Sequence, residues 1–280
     1  MEGSACCQGK TRRKVPALKE GSDFDVRITL SQEKKCLFKQ QGTIGYFTCP
    51  DLDGRVIHGF STKIPPTGGN SKPDEIYRQG QRFCNALRTN VPFMVRLRQV
   101  HGDRIFIAKE PVPDPGEYDG VVTDSTEAAL SIVTADCLPI LIFEQSKKII
   151  GAVHAGWRGA SLGILQNALK AIRQNFGARP QDCLLLFGPY LKPCCFEIRD
   201  DVLGILKERL PFWPQVVSKV QGRWYFDLQL TNILQAREMG VLQENIWTLD
   251  LCTSCQPAWF HSYRRDKDLA GRMISVISLR

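Results

Sequence analysis

Apolar residues in this chain occur mainly in short runs separated by Gly, Pro and charged residues. Between residues 93 and 153 five such runs follow one another: FMVRLRQV, RIFIAK, ALSIVTA, LPILIFE and KIIGAV. Each has the length of a β-strand, and several are apolar at consecutive rather than alternate positions. A strand that is apolar on both sides has no face for water, so we predict strands buried in the interior of an α/β domain.

Further elements are predicted on either side of these runs. DFDVRITL favours a strand, residues 46–60 favour two short strands around the turn PDLDG, and residues 75–87 favour a helix. The Pro- and Gly-rich stretch STKIPPTGGNSKPDE is typical of a loop.

Residues 149–188 predict a strand, a tight corner, a helix and another strand. The strand covers residues 149–153, and Gly177 is placed to end the helix before CLLLFG begins the next strand. The corner is HAGWRG, residues 154–159, where a helix N-terminus offers free N–H groups to an anion. Apolar side chains recur every three or four residues along one helical face, at Leu162, Leu165, Leu169, Ile172 and Phe176.

Composition is that of a globular domain. The chain has 280 residues, of which 43% are hydrophobic and 24% charged, enough to bury a full core. It lacks the run of about 20 apolar residues that crosses a bilayer and the apolar stretch of a secretory signal. We therefore expect a cytoplasmic protein without a membrane partner, whose eleven cysteines are thiols or metal ligands rather than a disulfide framework.

The net charge of +8 is concentrated near the start of the chain. Residues 1–40 hold nine Lys/Arg and five Asp/Glu, which accounts for four of the eight positive charges. We expect a mobile basic extension over residues 1–40 and one catalytic domain over residues 41–280. Attraction of nucleic acid is an alternative for the extension, but no RNA- or DNA-binding motif is present and we predict no nucleic-acid partner. An anionic small-molecule substrate suits the remaining charge.

The corner could be a phosphate-binding loop of the Walker A type or the nucleophile turn of an esterase. A Walker A loop needs Lys followed by Ser or Thr after its second glycine, whereas Trp157 and Arg158 follow Gly156. GASLG, residues 159–163, matches the G-x-S-x-G nucleophile elbow with Ser161 as nucleophile, and Asp227 or Asp250 with His261 would complete a triad. The predicted strand ends too early for an elbow, so a serine that initiates the helix is the preferred interpretation.

A third interpretation starts from histidine, which occurs only four times. His101 in RQVHGD and His154 in VHAG each lie beside a glycine corner, and Cys137 interrupts the apolar segment IVTADCLPILI. Two imidazoles and one thiolate form a three-ligand zinc set with an open fourth position, and the neighbouring Asp136 could orient a ligand. Hydrogen-bonded corner histidines and a buried thiol are the structural alternative.

A second group of cysteines is interpreted differently. CTSC, residues 252–255, is a single C-x-x-C, and a zinc ribbon requires a second such pair. The adjacent Cys194 and Cys195 of PCC do not supply that spacing, so we expect structural thiols at these positions.

The chain also carries a set of short motifs in a fixed order: RQVHGD, DGVVTD, TADCLP, AVHAGWRG, GPYLKPCCFE, LCTSC and FHSYRRD followed by GRM. In this order the motifs resemble the YfiH family, also called laccase-domain or polyphenol-oxidase-like proteins. The resemblance extends from about residue 56 to residue 280. It implies a single-domain α/β fold in which mixed β-sheets are covered by helices.

The resemblance also implies a site and an activity. The histidine of VHG, the cysteine of ADC and the histidine of HAG form the family's zinc site, which places the ligands at His101, Cys137 and His154. Members of the family phosphorolyse adenosine, inosine, guanosine and methylthioadenosine and deaminate adenosine. Purine nucleosides and phosphate are therefore the implied partners of this chain.

The older oxidase name of the family does not fit the histidine count. A laccase-type multicopper centre needs on the order of ten histidines in H-x-H pairs, and this chain has four histidines and no such pair. A single copper ion could still occupy the same His/Cys set in place of zinc.

Phosphorolysis requires basic groups that hold the attacking phosphate. The candidates are Lys63 in FSTK, Arg158 in GWRG, and Arg264 or Arg265 in SYRRD. Trp157, Phe260 and Tyr263 are candidates to stack on a base, although aromatic residues more often belong to a core. The chain departs from the family where residues 64–67 separate FSTK from the next glycine pair, and an expected Asn-Arg has no clean counterpart.

The sequence thus predicts a zinc-dependent purine nucleoside phosphorylase with adenosine deaminase activity, in which Cys137 and Asp136 act in catalysis. A cysteine or serine hydrolase that uses Cys137 and His154, or Ser161, is one alternative. A metal-binding interaction module without catalytic activity is the other.

Overall fold

A computed structural model describes residues 26–29, 35–52, 54–64, 73–110, 112 and 114–280. The strands of the described residues are β1 Val26–Thr29, β2 Lys35–Gln41, β3 Ile44–Thr48, β4 Val56–Ser61, β5 Phe93–Arg96, β6 Ile105–Ile107, β7 Gly120–Thr123, β8 Ala128–Thr134, β9 Leu138–Glu144, β10 Ile149–Ala155, β11 Cys183–Phe187, β12 Glu197–Ile198, β13 Val217–Val220, β14 Arg223–Phe226, β15 Ile246–Thr248 and β16 Met273–Leu279. The α-helices are α1 Pro73–Leu87, α2 Trp157–Ser161, α3 Ile164–Phe176, α4 Asp200–Arg209, α5 Trp213–Val216, α6 Leu228–Glu238 and α7 Tyr263–Asp266.

The strands form three sheets. A seven-stranded sheet has the order β1-β2-β3-β4-β16-β8-β5, a six-stranded sheet has the order β15-β11-β9-β10-β7-β6, and a small sheet has the order β12-β14-β13. Most neighbours are antiparallel, but β5 pairs with β8, β6 with β7, and β11 with β15 in parallel. The sheets are therefore mixed, which confirms the predicted fold class of one α/β domain.

The two large sheets pack face to face and carry helices on their outer faces. The packing on both sides of strand β9 explains why its sequence is almost entirely apolar. Leu138, Ile140 and Ile142 lie in one core cluster with the apolar residues of α3, α4 and α6, whereas Leu141 and Phe143 lie in the core between the sheets. On the far side, α1 covers the seven-stranded sheet in a third cluster. The predicted absence of a water-facing side is confirmed for β9 and β10, whose residues are all buried, whereas the residues of β6 are only half-buried.

The predicted helix of residues 162–176 differs in how it begins. A short helix, α2, ends at Ser161, and α3 begins at Ile164. Gly163 lies between them with a left-handed φ of 80°, which breaks the helical path. Leu162 is consequently exposed, and Ser161 ends α2 instead of initiating α3. The predicted end of the helix is confirmed, because Gly177 caps α3 with a left-handed φ of 65°.

The predicted boundary at residue 41 requires correction. Strands β1 and β2 lie within residues 1–40, and β2 pairs along its length with β3 of the seven-stranded sheet. This part of the predicted extension therefore belongs to the domain. The rest of the predicted extension, with its basic segment KTRRK, lies outside the described residues. None of the helices in the described part of the chain is long and apolar enough to cross a bilayer.

The break before α3 gives a matched pair of substitutions. Leu165 is fully buried and Leu162 is 42% exposed, although only three positions separate them. Leu165→Ala should lower the free energy of unfolding by about 2–5 kcal/mol, because it leaves a cavity against β10. Leu162→Ala should change it by less than about 0.5 kcal/mol. Urea denaturation of both variants measures this, and equal losses would contradict the separation of α2 from α3.

Candidate metal centre

The three predicted metal ligands converge at one end of the six-stranded sheet. His101 follows β5, Cys137 lies in the turn between β8 and β9, and His154 lies near the end of β10. His154 is opposite Pro139 in the β9–β10 pairing, which brings the neighbouring turn alongside it. The candidate ligand atoms of His101, Cys137 and His154 all lie within 4.8 Å of one another. The predicted trio is therefore a physical cluster that could hold a metal ion.

A buried carboxylate, that of Asp119, organises this cluster. Its Oδ1 accepts hydrogen bonds from the backbone N–H of His101 at 2.9 Å and from Nδ1 of His154 at 2.7 Å. Its Oδ2 accepts from the N–H groups of Gly102 at 2.7 Å and Val100 at 3.1 Å. Because Nδ1 of His154 is hydrogen-bonded to Asp119, Nε2 of His154 is the ring nitrogen left for a metal. The same hydrogen bond fixes the orientation of the ring.

Asp119 also accounts for the backbone of the first ligand. His101 has a left-handed φ of 61°, a conformation that a residue with a Cβ adopts at an energetic cost. Three consecutive N–H groups converge on one carboxylate and offset that cost. Burial alone would raise the pKa of Asp119, but the hydrogen bonds from His154 and Gly102 outweigh it and lower the pKa. The carboxylate therefore remains ionised.

Sequence reasoning did not find Asp119. It belongs to DGVVTD, a motif that was singled out only for its resemblance to the family. The available signal was an acidic residue directly before the buried strand β7, which runs beside β10. Asp136, which was expected to orient a metal ligand, does something else.

The carboxylate of Asp136 faces the segment after β15 rather than the histidines. It accepts hydrogen bonds from Oγ1 of Thr253 at 2.6 Å and from the N–H of Arg264 at 2.6 Å. Its backbone oxygen accepts from Leu191 at 2.8 Å. Asp136, whose φ of 92° is left-handed, thus anchors two loops beside Cys137. The role predicted for it, orienting a metal ligand, is filled at His154 by Asp119.

At two positions of HAGWRG, neighbouring atoms leave too little space for any side chain larger than that of glycine. A Cβ on Gly156 would lie 3.1 Å from the His101 ring and 3.2 Å from Sγ of Cys137. A Cβ on Gly159 would lie 2.5 Å from the backbone oxygen of Gly102. The glycine-rich corner therefore lets α2 pack directly against the loop that carries His101.

The electrostatics of the trio favour a thiolate beside an imidazolium before metal binds. Burial would raise the pKa of Cys137, but the charge of His154 and the hydrogen bonds from both histidines outweigh it and lower the pKa. Burial opposes the charge of His154, yet Cys137 and Asp119 together raise the pKa of that imidazole. A thiolate is the form of cysteine that binds metals, whereas the imidazolium of His154 must release its proton when it binds an ion.

One of the predicted phosphate ligands is fully occupied by the protein. Arg265 donates from Nη1 to the backbone oxygens of Thr253 and Ser254, at 3.0 and 3.1 Å. Its Nη2 donates to the backbone oxygen of Phe260 at 2.9 Å, and Nη2 and Nε donate to the carboxylate of Asp266. These contacts use all five N–H groups of a guanidinium. The prediction that Arg265 binds phosphate is therefore wrong in this arrangement.

Arg264 is held in a similar way but less completely. Its Nη1 donates to the backbone oxygens of Cys195 and Glu197, at 3.3 and 3.0 Å, and its guanidinium lies over the Phe196 ring. Nε and Nη2 have no acceptor among the described residues. A phosphate contact from Arg264 therefore remains a proposal.

Lys63 lies in a cationic environment. Burial and the charge of Arg265 lower the pKa of Lys63. Burial and the charge of Lys63 in turn lower the pKa of His261 to about 4. The Nε2 atom of His261 is buried and has no hydrogen-bond partner among the described residues. Lys63, Arg265 and Arg272 outnumber the carboxylate of Asp266 around His261, so the region attracts an anion, and sequence reasoning had not placed His261 there.

The remaining candidates divide between surface and core. Arg158 is exposed, and its guanidinium lies 4.5 Å from the centre of the neighbouring Trp157 ring. Phe260 is fully buried between the sheets and packs against Phe47, so it is a core residue and no stacking platform. Tyr263 is 51% exposed.

The alternative Ser161 triad is not assembled. The Ser161 hydroxyl is buried and donates to the backbone oxygen of Arg158 at 2.8 Å, within α2. Asp227 caps α6 through the N–H of Leu230, and Asp250 pairs with Lys192. Among the described residues, no contact joins Ser161 to His261, so the nucleophile-elbow interpretation has no support.

The structure also corrects the interpretation of the second cysteine group. Cys194 and Cys195 lie with Cys252 and Cys255 in one cluster, with all four sulfur atoms within 4.8 Å of one another. The fold thus brings the adjacent pair beside the C-x-x-C segment despite its different spacing in the sequence.

The fold and the trio define a mixed α/β protein with a three-ligand candidate metal centre, and comparison with known proteins gives its family. Residues 67–280 match the family described as "Multi-copper polyphenol oxidoreductase laccase". The chain belongs to this family.

Named relatives include bacterial and mammalian proteins. The chain is 34% identical over 269 residues to "Purine nucleoside phosphorylase YlmD" of Geobacillus stearothermophilus, covering 86% of this chain and 97% of that protein. It is 27% identical over 279 residues to "Purine nucleoside phosphorylase LACC1" of Mus musculus, covering 91% of this chain and 63% of that protein. The chain thus spans less than two thirds of the mouse protein's length.

The solved structures agree with the fold. The crystal structure of YlmD from Geobacillus stearothermophilus superposes with a TM-score of 0.76 at 29% identity, covering 86% of this chain and 98% of that one. The crystal structure of the Bacillus licheniformis hypothetical protein YfiH gives a TM-score of 0.78 at 25% identity, covering 87% and 99%. The resemblance to the YfiH family is confirmed.

The ligand trio leads to a prediction about metal content. Cys137→Ala and His154→Ala should each lower the zinc content by about one ion per chain, because two ligands hold the ion poorly against solvent. Cys84→Ala, which removes a buried thiol of α1, should leave the zinc content unchanged. Elemental analysis of folded protein, checked by circular dichroism, measures this. Full zinc content in either trio variant would contradict the site.

The packing of α2 leads to a second prediction. Gly159→Ala should lower the free energy of unfolding by about 1–3 kcal/mol, since its methyl group would overlap a backbone oxygen. Gly204→Ala is the control, because a Cβ at Gly204 in α4 meets no atom within 4 Å. That substitution should stabilise the protein by about 0.5–1 kcal/mol. Thermal denaturation of both variants tests the contrast, and a neutral Gly159→Ala would refute the close approach.

Proposed function

We propose that the protein is a zinc-dependent purine nucleoside phosphorylase with adenosine deaminase activity. The proposed substrates are adenosine, inosine, guanosine and methylthioadenosine, together with phosphate. The observation that carries this proposal is the cluster of His101, Cys137 and His154, a three-ligand site in a family whose relatives are named purine nucleoside phosphorylases. We also propose a cytoplasmic location, which agrees with the absence of disulfides among the described cysteines.

The donor set fits zinc. Two imidazoles and one thiolate are ligands that zinc prefers, and three protein ligands leave a fourth position for water or substrate. His154 is buried but His101 is exposed, so the cluster can be reached from solvent on the His101 side. A zinc ion bound there would supply Lewis acidity and a water of lowered pKa. Copper can be held by the same donors, and the bound metal is settled by elemental analysis.

Residues of the protein would position the metal ligands and bind the phosphate. Asp119 holds His154 and the His101 backbone in place, so the site needs little reorganisation when substrate binds. Lys63 and Arg158 are proposed to hold phosphate, and the buried Nε2 of His261 offers a further polar contact near Lys63. Asp136 is proposed to act indirectly, by fixing the turn that carries Cys137.

The position of α7 connects the metal ligands with the cationic region. The N–H of Arg264 donates to Asp136, the residue before Cys137, and the next residue, Arg265, is near enough to Lys63 to influence its pKa. An anion held by Lys63 would therefore lie in the same region of the molecule as the metal ligands. This arrangement supports a reaction that brings a nucleoside and phosphate together.

Turnover of the purified protein on adenosine, with its metal content verified, tests the proposal. With phosphate, chromatography should show adenine and ribose 1-phosphate. Without phosphate, inosine and ammonia should form by deamination. No product under either condition, with the trio fully occupied by metal, would overturn the proposal in favour of a binding module. Ester or amide hydrolysis that depends on Cys137 would instead indicate a thiol hydrolase.

The proposed phosphate contact predicts a selective kinetic defect. Lys63→Ala should raise the KM for phosphate by about 10–150-fold, the range expected when one charged hydrogen bond is lost. Deamination uses water, so its rate should change by less than about 2-fold. Lys170→Ala, on the exposed face of α3, is the control and should alter neither reaction. If Lys63→Ala slows both reactions equally and lowers thermal stability, Lys63 has a structural role instead.

A further inference from the structure

A second sulfur cluster lies apart from the trio, in the loops that follow β11 and β15. Its members are Cys194 and Cys195 on one loop and Cys252 and Cys255 on the other. Sγ of Cys255 lies 3.6 Å from that of Cys194 and 3.4 Å from that of Cys195, and the two adjacent sulfurs are 3.8 Å apart.

A tight turn explains how neighbouring cysteines can point the same way. The N–H groups of Cys195 and Phe196 both donate to the backbone oxygen of Lys192, at 2.9 Å each. The backbone turns there, so that two consecutive side chains both face the C-x-x-C segment instead of pointing in opposite directions. This is why the spacing of the cysteines in the sequence concealed the cluster.

The sulfur separations are those of ligands to one small ion. In a tetrahedral zinc site with Zn–S bonds of about 2.3 Å, the sulfurs lie about 3.8 Å apart. A disulfide would need about 2.05 Å. In [2Fe–2S] and [4Fe–4S] clusters the four cysteines are shared among two or four iron atoms, so some of their sulfurs lie farther apart than the ligands of a single ion.

We propose that Cys194, Cys195, Cys252 and Cys255 bind a second zinc ion, in a closed site with a structural role. Four protein sulfurs fill the tetrahedral coordination, which leaves no position for water or substrate. The site is therefore distinct in chemistry from the open trio.

The surrounding charges suit this assignment. Four thiolates around Zn²⁺ carry a net charge of −2, which requires cations nearby. Arg264 binds the backbone oxygen of Cys195 on one loop, and Arg265 binds those of Thr253 and Ser254 on the other. The two adjacent arginines of α7 thus hold both cysteine-bearing loops, and the guanidinium of Arg264 brings a positive charge to the loop of Cys194 and Cys195.

The site also has a direct connection to the metal trio. Thr253, which follows Cys252, donates its hydroxyl to Asp136, and Asp136 precedes Cys137 in the chain. Leu191, shortly before Cys194, donates its N–H to the Asp136 backbone oxygen. Both cysteine-bearing loops are therefore fastened to the turn that presents Cys137, and the second zinc ion would clamp them together.

Zinc stoichiometry of the full chain tests the proposal. The parent protein, purified under reducing conditions without chelator, should contain about two zinc ions per chain. Cys252→Ser combined with Cys255→Ser should contain about one, and Cys137→Ala should also contain about one. Adding Cys137→Ala to the double variant should remove both ions. Cys84→Ala should retain both, which controls for loss of a buried thiol.

Several outcomes would overturn the proposal. The first is a parent protein with about one zinc ion that Cys137→Ala removes. The second is an unchanged zinc content in the Cys252/Cys255 double variant. Iron in place of zinc would overturn the assignment of the metal. A mass lower by two hydrogens per cysteine pair, without metal, would establish a disulfide instead.

A measurement on intact thiols keeps the test decisive if the double variant does not fold. Cys137→Ala lacks the trio's zinc, so any zinc it retains belongs to the second site. Titration of this variant with a mercurial thiol reagent should release that zinc to a chromogenic chelator as the cluster thiols react. Absence of releasable zinc would contradict the site. Because no nucleoside is involved, this result is independent of the proposed enzymatic activity.

Discussion

The candidate metal centre depends on one buried carboxylate. Asp119 is withdrawn from water at the start of β7, where an ion without partners would cost several kcal/mol. Three backbone N–H groups and one imidazole satisfy it, and each of these donors belongs to a segment that carries a metal ligand. The same four hydrogen bonds therefore stabilise the charge, hold His101 in a left-handed conformation and orient His154. None of these features is independent of the others.

The sheet topology explains why so much chemistry gathers in one place. In the six-stranded sheet, β10, β11 and β15 end where β6, β7 and β9 begin, as their registers show. All the loops with candidate metal-ligating residues join the sheet at this end. Charged groups and thiolates can thus be concentrated outside a rigid apolar framework, and hydrogen bonds through Asp136 connect the two sulfur-containing clusters.

Features set by local chemistry were predictable from the sequence. Consecutive apolar residues indicated the buried strands, Gly177 indicated the end of α3, and scarce histidines beside glycine corners indicated the metal trio. Features that depend on distant contacts were not predictable. The role of Asp119 requires the pairing of β7 with β10, and the cysteine cluster requires two loops about 60 residues apart to meet.

The arginines also show that distant contacts limit prediction from sequence, because such contacts here remove a predicted site instead of creating one. Their charge suggested phosphate, and nothing in SYRRD reveals that carbonyl oxygens of the segment before it, together with the carboxylate of Asp266, occupy Arg265 completely. The Ser161 motif failed for a related reason. Its pattern of residues matched an elbow, but Gly163 separates two helices there and leaves the hydroxyl bonded inside the shorter one.

Strand β16 has a consequence for how the protein reaches its native state. It lies between β4 and β8 in the seven-stranded sheet, and it pairs with residues more than 200 positions earlier. Until residues 273–279 have been synthesised, β4 and β8 each present an unpaired edge beside apolar side chains. Such long-range pairing slows folding and exposes edges that attract other chains. A nascent chain of this protein should therefore need protection from aggregation at least until β16 has been synthesised.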